Sequence, residues 1–225
     1  MSLNKVSKNG NMYGWIDATW NTVKGVCPHG CEYCYMKRWG KQPDLHFDVK
    51  ELKTDLGCGN FIFVGSSCDM WAEAIPVDWI HRTLIQCRKY ENNRYLFQSK
   101  NPGRIYELRR FLPPDIVAGT TIETNRYYPE MGKALDVTER AWSILQFSLL
   151  DIDTIITIEP IMQFDLDKLV GIIKTAEPKW VNIGANTNSK VKLPEPSPDK
   201  VKELILALSE FTEVKVKSNL NRLMP

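Results

Sequence analysis

Three cysteines fall within eight residues in Cys27-Pro-His-Gly-Cys31-Glu-Tyr-Cys34. Pro28 and Gly30 keep this stretch from being helical, so the thiols belong to a loop. Thiolates are soft ligands suited to iron–sulfur clusters or to zinc. A structural zinc site wants a fourth ligand to close its tetrahedron, and His29 lies inside the loop rather than at a typical ligand spacing. Three cysteines without a fourth leave one iron of a cubane open, and an open metal position is where a cofactor or substrate binds. Of the other cysteines, Cys58 sits between glycines, and Cys87 reads as a small core residue beside Ile80, Leu84 and Ile85. His46 and His81 are isolated and read as surface or helix-packing residues.

Such a loop needs a frame. Apolar, β-rich segments alternate with longer segments of helical period, the pattern of βα units feeding a parallel sheet. Strands are expected near Tyr13 to Ala18, Asn60 to Gly65, Arg94 to Gln98, Ile116 to Thr121, Thr154 to Ile158, Trp180 to Gly184, and Glu213 to Lys217. Helices are expected to start near Cys31, Pro76, Pro102, Thr138, Asp165 and Ser197, several at residues that favour a cap or first turn. The fold class is therefore α/β, a partial (open) parallel β/α barrel of about six βα units, read as one domain over residues 1–225. In such a barrel, ligands meet the loops at the carboxyl ends of the strands. Polar residues stand there in number: Asn21, Ser66 to Asp69, Gln98 to Lys100, Thr120 to Glu123, Glu159, Asn186 to Asn188, and Ser218-Asn219. Glu159, an acid before Pro160 at a strand end, is expected to point into the barrel mouth as a catalytic, substrate-side residue.

Composition bounds the partners. With 43% hydrophobic and 25% charged residues, the 225-residue chain belongs to the soluble globular class. A formal charge of +2 gives no whole-molecule field for a polyanion or an acidic membrane surface, so any basic patch must be local. The opening Met-Ser-Leu-Asn-Lys-Val-Ser-Lys has no apolar signal core, and no apolar run approaches the ~20 residues that span a bilayer. A cytoplasmic location follows as an expectation, with reduced thiols.

The spacing C-x-x-x-C-x-x-C, with Tyr33 before the last cysteine, resembles the signature of the radical S-adenosylmethionine (SAM) superfamily. The likeness extends from about Trp15 to Ser218. Thr19 to Cys27, Phe61 to Trp71, Leu96 to Pro102, Thr157 to Ile161 and Trp180 to Asn186 look like successive strand-end motifs of a phage-associated family of small radical SAM-like proteins. The layout is also similar to the spore photoproduct lyases, which repair a thymine dimer in DNA.

The resemblance implies a [4Fe–4S] cluster on Cys27, Cys31 and Cys34, with the amino and carboxylate groups of SAM on the open iron. It implies an electron donor such as a flavodoxin or ferredoxin, reductive cleavage of SAM to a 5′-deoxyadenosyl radical, and hydrogen abstraction from an unassigned substrate. Nucleic acid or a nucleotide is the class hinted at. The superfamily's usual Gly-Gly-Glu is missing, and Gly65-Ser66-Ser67-Cys68-Asp69 stands in its place. By analogy, Tyr33, Ser66, Ser67 and Asp69 belong to the cofactor site, with the last three facing the methionine end. Lys100 pairs with the SAM carboxylate, Thr121 and Glu123 bond that carboxylate or the ribose, and Asn186 lies near the adenine. Cys68 is either a thiol in place of a hydroxyl or a catalytic hydrogen-atom donor. Lys37-Arg38-Trp39-Gly40-Lys41, with Arg104, Arg109 and Arg110, offers phosphate grips and a base-stacking ring, and Tyr127-Tyr128 a substrate lid. Two other readings stay open: a zinc-stabilised, non-catalytic nucleic-acid-binding module on the same fold, and an enzyme that uses cluster-bound SAM for a different bond cleavage or for methyl transfer.

Overall fold

The computed structural model describes residues 3–7 and 10–224. β1 (Asn4–Lys5) lies antiparallel on β2 (Ala18–Trp20), and β3 (Val23–Lys24) pairs with β4 (His46–Phe47) as a separate small sheet. The remaining strands are β5 (Phe61–Val64), β6 (Arg94–Gln98), β7 (Ile116–Thr121), β8 (Asp153–Ile158), β9 (Trp180–Ile183) and β10 (Glu213–Val216). From β2 through β5 to β10 all neighbours are parallel, giving an open eight-stranded sheet with β1 and β10 at its edges. This is the mostly parallel α/β architecture the sequence predicts.

A parallel sheet must be covered on both faces. The outer face is covered by α1 (Val77–Lys89), α2 (Pro102–Glu107), α3 (Val137–Ser148), α4 (Leu166–Ala176) and α5 (Pro198–Ser209). Their apolar residues recur at helical spacing; α1 buries Ile80, Leu84 and Cys87, and α5 buries Val201, Leu204 and Leu208. Caps fix where they start. Asp136 accepts from the Thr138 N–H and Ser197 from the Lys200 N–H, with Pro198 in the first turn of α5. Among the described residues, no helix is long and apolar enough to cross a membrane.

The inner face is filled by the chain's own N-terminal segment. Tyr13 and Ile16 pack on Leu96, Val117, Ile155 and Trp180 in a second buried cluster, and Trp15 stacks on Tyr13 and meets Phe61 and Trp180. A strand was expected over Tyr13 to Ala18, but the Ile16 N–H closes a turn on the Tyr13 carbonyl at 3.0 Å, and only Ala18 onward joins the sheet. The apolar alternation belongs to a plug in the half-barrel, not to a strand. The helix expected near Cys31 is likewise not an α-helix: the chain makes single turns through the cysteines and then a 3₁₀ turn over Tyr35–Trp39. The crossover from β2 to β5 is thus built of a loop, a hairpin pair and 3₁₀ turns, while the other five crossovers carry α-helices.

Candidate active site

A cavity of about 460 Å³ opens at the carboxyl ends of the strands. Its walls come from the segments after β2 (Cys27, Cys31, Cys34), after β5 (Gly65, Ser66, Asp69), at the end of β6 (Gln98, Ser99, Lys100), at the end of β7 (Thr121), after β8 (Glu159), after β9 (Asn186) and after β10 (Lys217).

The cysteine loop is held from far along the chain. Lys133 N–H donates to the His29 carbonyl at 2.7 Å, Glu32 N–H to the Glu130 carbonyl at 2.8 Å, and the Cys31 thiol to the Met131 carbonyl at 3.2 Å. The Asn188 amide reaches the Glu32 and Cys34 carbonyls at 3.4 and 3.5 Å. Two loops from other strand ends therefore clamp the one that carries the thiols. Within it, the Gly30 N–H returns to the Cys27 carbonyl at 3.1 Å and the Cys34 N–H to the Cys31 carbonyl at 3.3 Å.

The thiols are unlike one another. The neighbouring Cys68 thiol draws Cys27 below the usual thiol range, and Cys27, together with burial, pushes Cys68 up. Burial raises Cys34, and its neighbours Cys27 and Cys31 add to this. Cys68 is 2% exposed and does not line the cavity; its thiol lies behind the wall, beside Cys27.

Three thiolates are soft donors of the kind an iron–sulfur cluster or zinc takes, and all three line the cavity. Among the described residues, no three or more His, Cys, Asp or Glu side chains converge on one ion position. A single tetrahedral zinc needs its sulfurs about 3.8 Å apart, from a metal–sulfur bond of about 2.3 Å, whereas a cubane takes each thiolate on a separate iron. His29, the histidine within the loop, is committed elsewhere: its Nε2 lies 2.8 Å from Asp69 Oδ2.

That His29–Asp69 pair is buried and tightly tied. Asp69 Oδ2 also accepts from Ser99 Oγ and from the Lys100 N–H, both at 2.9 Å, and Oδ1 accepts from the Trp71 N–H at 3.0 Å. Burial works against both charges. It is outweighed for Asp69, held low by His29 and the backbone donors, and for His29, held high by Asp69. Asp69 thus fastens the cysteine loop to the end of β6. Asn21 does the same for the next loop, accepting from Ser66 Oγ at 3.2 Å and the Ser67 N–H at 2.9 Å. The Tyr35 hydroxyl, pushed up to about 12 by burial, donates to the Ser66 carbonyl. Ser66 lines the cavity; Ser67 does not.

Behind Cys31 lies a charged cluster. Lys100 Nζ donates to Glu123 Oε1 and, at 2.5 Å, to the Tyr33 hydroxyl, which itself donates to Glu123. Arg140 Nη1 donates to Glu123 Oε2 at 2.9 Å and to the Thr121 carbonyl at 2.7 Å. Glu123 and Arg140 are wholly buried, while Lys100 and Tyr33 reach the cavity wall. Thr121 Oγ1 accepts from Gln98 Nε2 at 3.3 Å.

A second cluster surrounds Glu159. Its Oε2 accepts from Lys217 Nζ at 2.6 Å, and Oε1 from Asn219 at 2.7 Å and Asn11 at 3.0 Å. Lys217 also sits 4.8 Å above the Tyr13 ring, whose hydroxyl bridges Gln98 and Thr157 at 2.9 and 2.7 Å. Asn186 is used internally: its amide donates to the Asn188 and Val191 carbonyls at 3.0 and 2.8 Å and shapes the loop that reaches the cysteines. The cavity thus gathers Tyr33, Ser66, Asp69, Lys100, Thr121, Glu159 and Asn186 with the three cysteines, and leaves Ser67, Cys68 and Glu123 one layer behind.

Gly184 makes room for the Glu159 cluster. A Cβ there would stand 2.8 Å from Glu159 Cδ and Oε1, and 3.0 Å from Asn219 Oδ1. Gly184→Ala is expected to destabilise the fold by about 1–3 kcal/mol through overpacking. Urea unfolding reads this directly, and an unchanged midpoint would mean that Glu159 swings aside freely.

The fold is similar to the radical SAM fold of spore photoproduct lyase. A mutant of that lyase with bound AdoMet and dinucleoside spore photoproduct aligns with a TM-score of 0.65 at 10% identity, covering 96% of this chain and 80% of that one. A complex of the lyase with dinucleoside spore photoproduct aligns at 0.63 and 10% identity, over 92% and 78%. A comparison with curated proteins finds no match. Residues 11–196 match the family model DUF5131, described as a protein of unknown function. The chain belongs to that family.

Proposed function

We propose that this protein is a radical SAM enzyme in which Cys27, Cys31 and Cys34 hold a [4Fe–4S] cluster and SAM occupies the cavity. When bound, the cluster supplies the electron that cleaves SAM to a 5′-deoxyadenosyl radical, which abstracts hydrogen from a second substrate. The observation that supports this reading is that Cys27, Cys31 and Cys34 all line one cavity together with strand-end polar groups.

The chain's own residues do the positioning. Lys100 offers the SAM carboxylate a cation set on the wall by Tyr33 and Glu123. Ser66 and Thr121 present hydroxyls to the cofactor, and Asn186 holds the loop beside its adenine end. Glu123, Ser67 and Asp69 act through neighbours, the first by orienting Lys100 and the others by fixing loops. Cys68 lies beside Cys27, where a thiol can tune a cluster's potential, since hydrogen bonds to cluster sulfurs do so. Glu159 and Lys217 form the polar part of the wall left for substrate. Nucleic acid or a nucleotide is the substrate class favoured, since the structurally similar lyase is described with a dinucleoside photoproduct.

Anaerobic reconstitution with iron and sulfide, followed by electron paramagnetic resonance of the reduced protein, tests the reading. A [4Fe–4S] signal that changes on adding SAM is expected, together with 5′-deoxyadenosine under reducing conditions. Cys31→Ala is expected to lose the cluster and at least about 10³-fold in product, since the hard chemistry belongs to the cofactor. Stoichiometric zinc in place of iron, or undiminished product from Cys31→Ala, would overturn it.

A further inference from the structure

Trp39 is 77% exposed, yet it lines the lip of the cavity. It ends the 3₁₀ turn that leaves Cys34, and its neighbour Arg38 lines the cavity beside it. The lip is braced. Lys37 Nζ donates to the Gly30 carbonyl at 3.2 Å, and Gln42 Nε2 donates to the Met36 and Gly40 carbonyls at 3.0 and 3.2 Å. Among the described residues, Arg38 and Lys41 have no carboxylate within ion-pair reach, whereas Lys24, Arg94, Arg126, Lys179 and Arg222 all do.

A cavity of about 460 Å³ is cofactor-sized. If SAM fills it, as the reading above holds and on which this inference rests, a substrate presents one group at the mouth and keeps its bulk on the rim. The rim supplies one flat aromatic face flanked by free cations. A lipid surface calls for a broad apolar stripe, but the residues around Trp39 are Lys37, Arg38, Gly40, Lys41 and Gln42. A ligand that alternates flat rings with anions matches such a surface, and its rings must be unpaired to offer a face.

We propose that this rim docks a single-stranded nucleic acid: Trp39 stacks on one base, Arg38 and Lys41 neutralise the adjoining phosphates, and the neighbouring base is delivered to the cavity mouth. Because Trp39 is solvent-exposed, its replacement does not threaten the fold.

Fluorescence anisotropy with a labelled 12-residue oligothymidylate, titrated with sodium chloride, tests the proposal on the full chain. Wild type is expected to bind in a salt-dependent manner. Trp39→Ala should weaken binding about tenfold while Trp39→Phe keeps most of it, and Arg38→Ala with Lys41→Ala should lower the salt slope by about 1.4. Equal binding by Trp39→Ala, no binding by wild type, or stronger competition from duplex DNA or anionic vesicles would overturn it. The two proposals fail separately: oligonucleotide binding through Trp39 without 5′-deoxyadenosine formation supports the rim and removes the radical chemistry, whereas SAM cleavage without oligonucleotide binding removes the rim.

Discussion

Glu123→Ala is expected to destabilise the protein by about 3–5 kcal/mol, the usual cost of leaving a buried charge without its partner. The carboxylate is wholly buried and faces two cations, Lys100 and the equally buried Arg140, with the Tyr33 hydroxyl as a third donor. Among the described residues, Arg140 has no alternative anion. Its remaining hydrogen bonds go to the Thr121 and Leu135 carbonyls, which hold the guanidinium in place but do not balance it. Glu123→Gln should cost less, because an amide oxygen can still accept from Lys100 or Arg140. Urea unfolding at pH 7 measures both, with wild type and variants compared in the same metal state, and a loss below about 1 kcal/mol for Glu123→Ala would mean that water replaces the carboxylate.

The same variant pair carries a pH test. Burial alone would raise the Glu123 carboxyl, but Lys100 and Arg140 outweigh it and hold the group far below the usual glutamate range. A folded value lower than the unfolded one means that the stabilisation is complete above the unfolded value of about 4.3 and is lost as pH falls beneath it. The stability gap between wild type and Glu123→Gln should therefore be flat from pH 8 to 5 and shrink below about 4. A gap that instead closed on raising the pH would place the charge elsewhere.

How far the sequence reveals such features depends on whether the signal is local. Helix starts are local: Pro76, Pro102, Thr138, Asp165 and Ser197 place α1 through α5 within a residue of where they begin. The rule that polar residues after strands gather at the barrel mouth is local too, and Lys100, Thr121, Glu159 and Asn186 do line the cavity there. Contacts across the chain are not. His29 and Asp69 stand 40 residues apart, and nothing near either one announces the pair. Tyr13 and Trp15 alternate as a strand does, yet they fill the half-barrel because an interior without them would be hollow. Arg140 was findable. It occupies the face of α3 shared by Val137, Ala141 and Ile144, and a charge at a core position requires a buried counter-charge.

The cysteine loop makes the strongest test of long-range construction, because one glycine 101 residues beyond Cys31 decides where it lies. Gly132 has φ +67°, and a Cβ on it would stand 2.2 Å from the His29 carbonyl oxygen and 3.0 Å from the Cys31 nitrogen. Both neighbours are backbone, so no side chain can swing away to make room. Gly132→Ala must push the Cys27 to Cys34 loop outward and break the Lys133 to His29 and Glu32 to Glu130 hydrogen bonds that clamp it. Left-handed backbone strain alone costs about 1–3 kcal/mol, and a shift of the order of 1 Å in a ligand frame is enough to cost about 10²-fold in function. The expected result is a protein that folds with a lowered urea midpoint and takes up little iron on reconstitution, assayed by iron and sulfide content. Gly171→Ala supplies the contrast, since that glycine lies inside α4 with open space where a Cβ would go. It should stabilise the protein by about 0.8–1.0 kcal/mol and load iron normally. Full iron loading by Gly132→Ala would mean that the loop finds its ligating geometry without the clamp, and that the cluster, rather than the protein, sets the positions of the thiols.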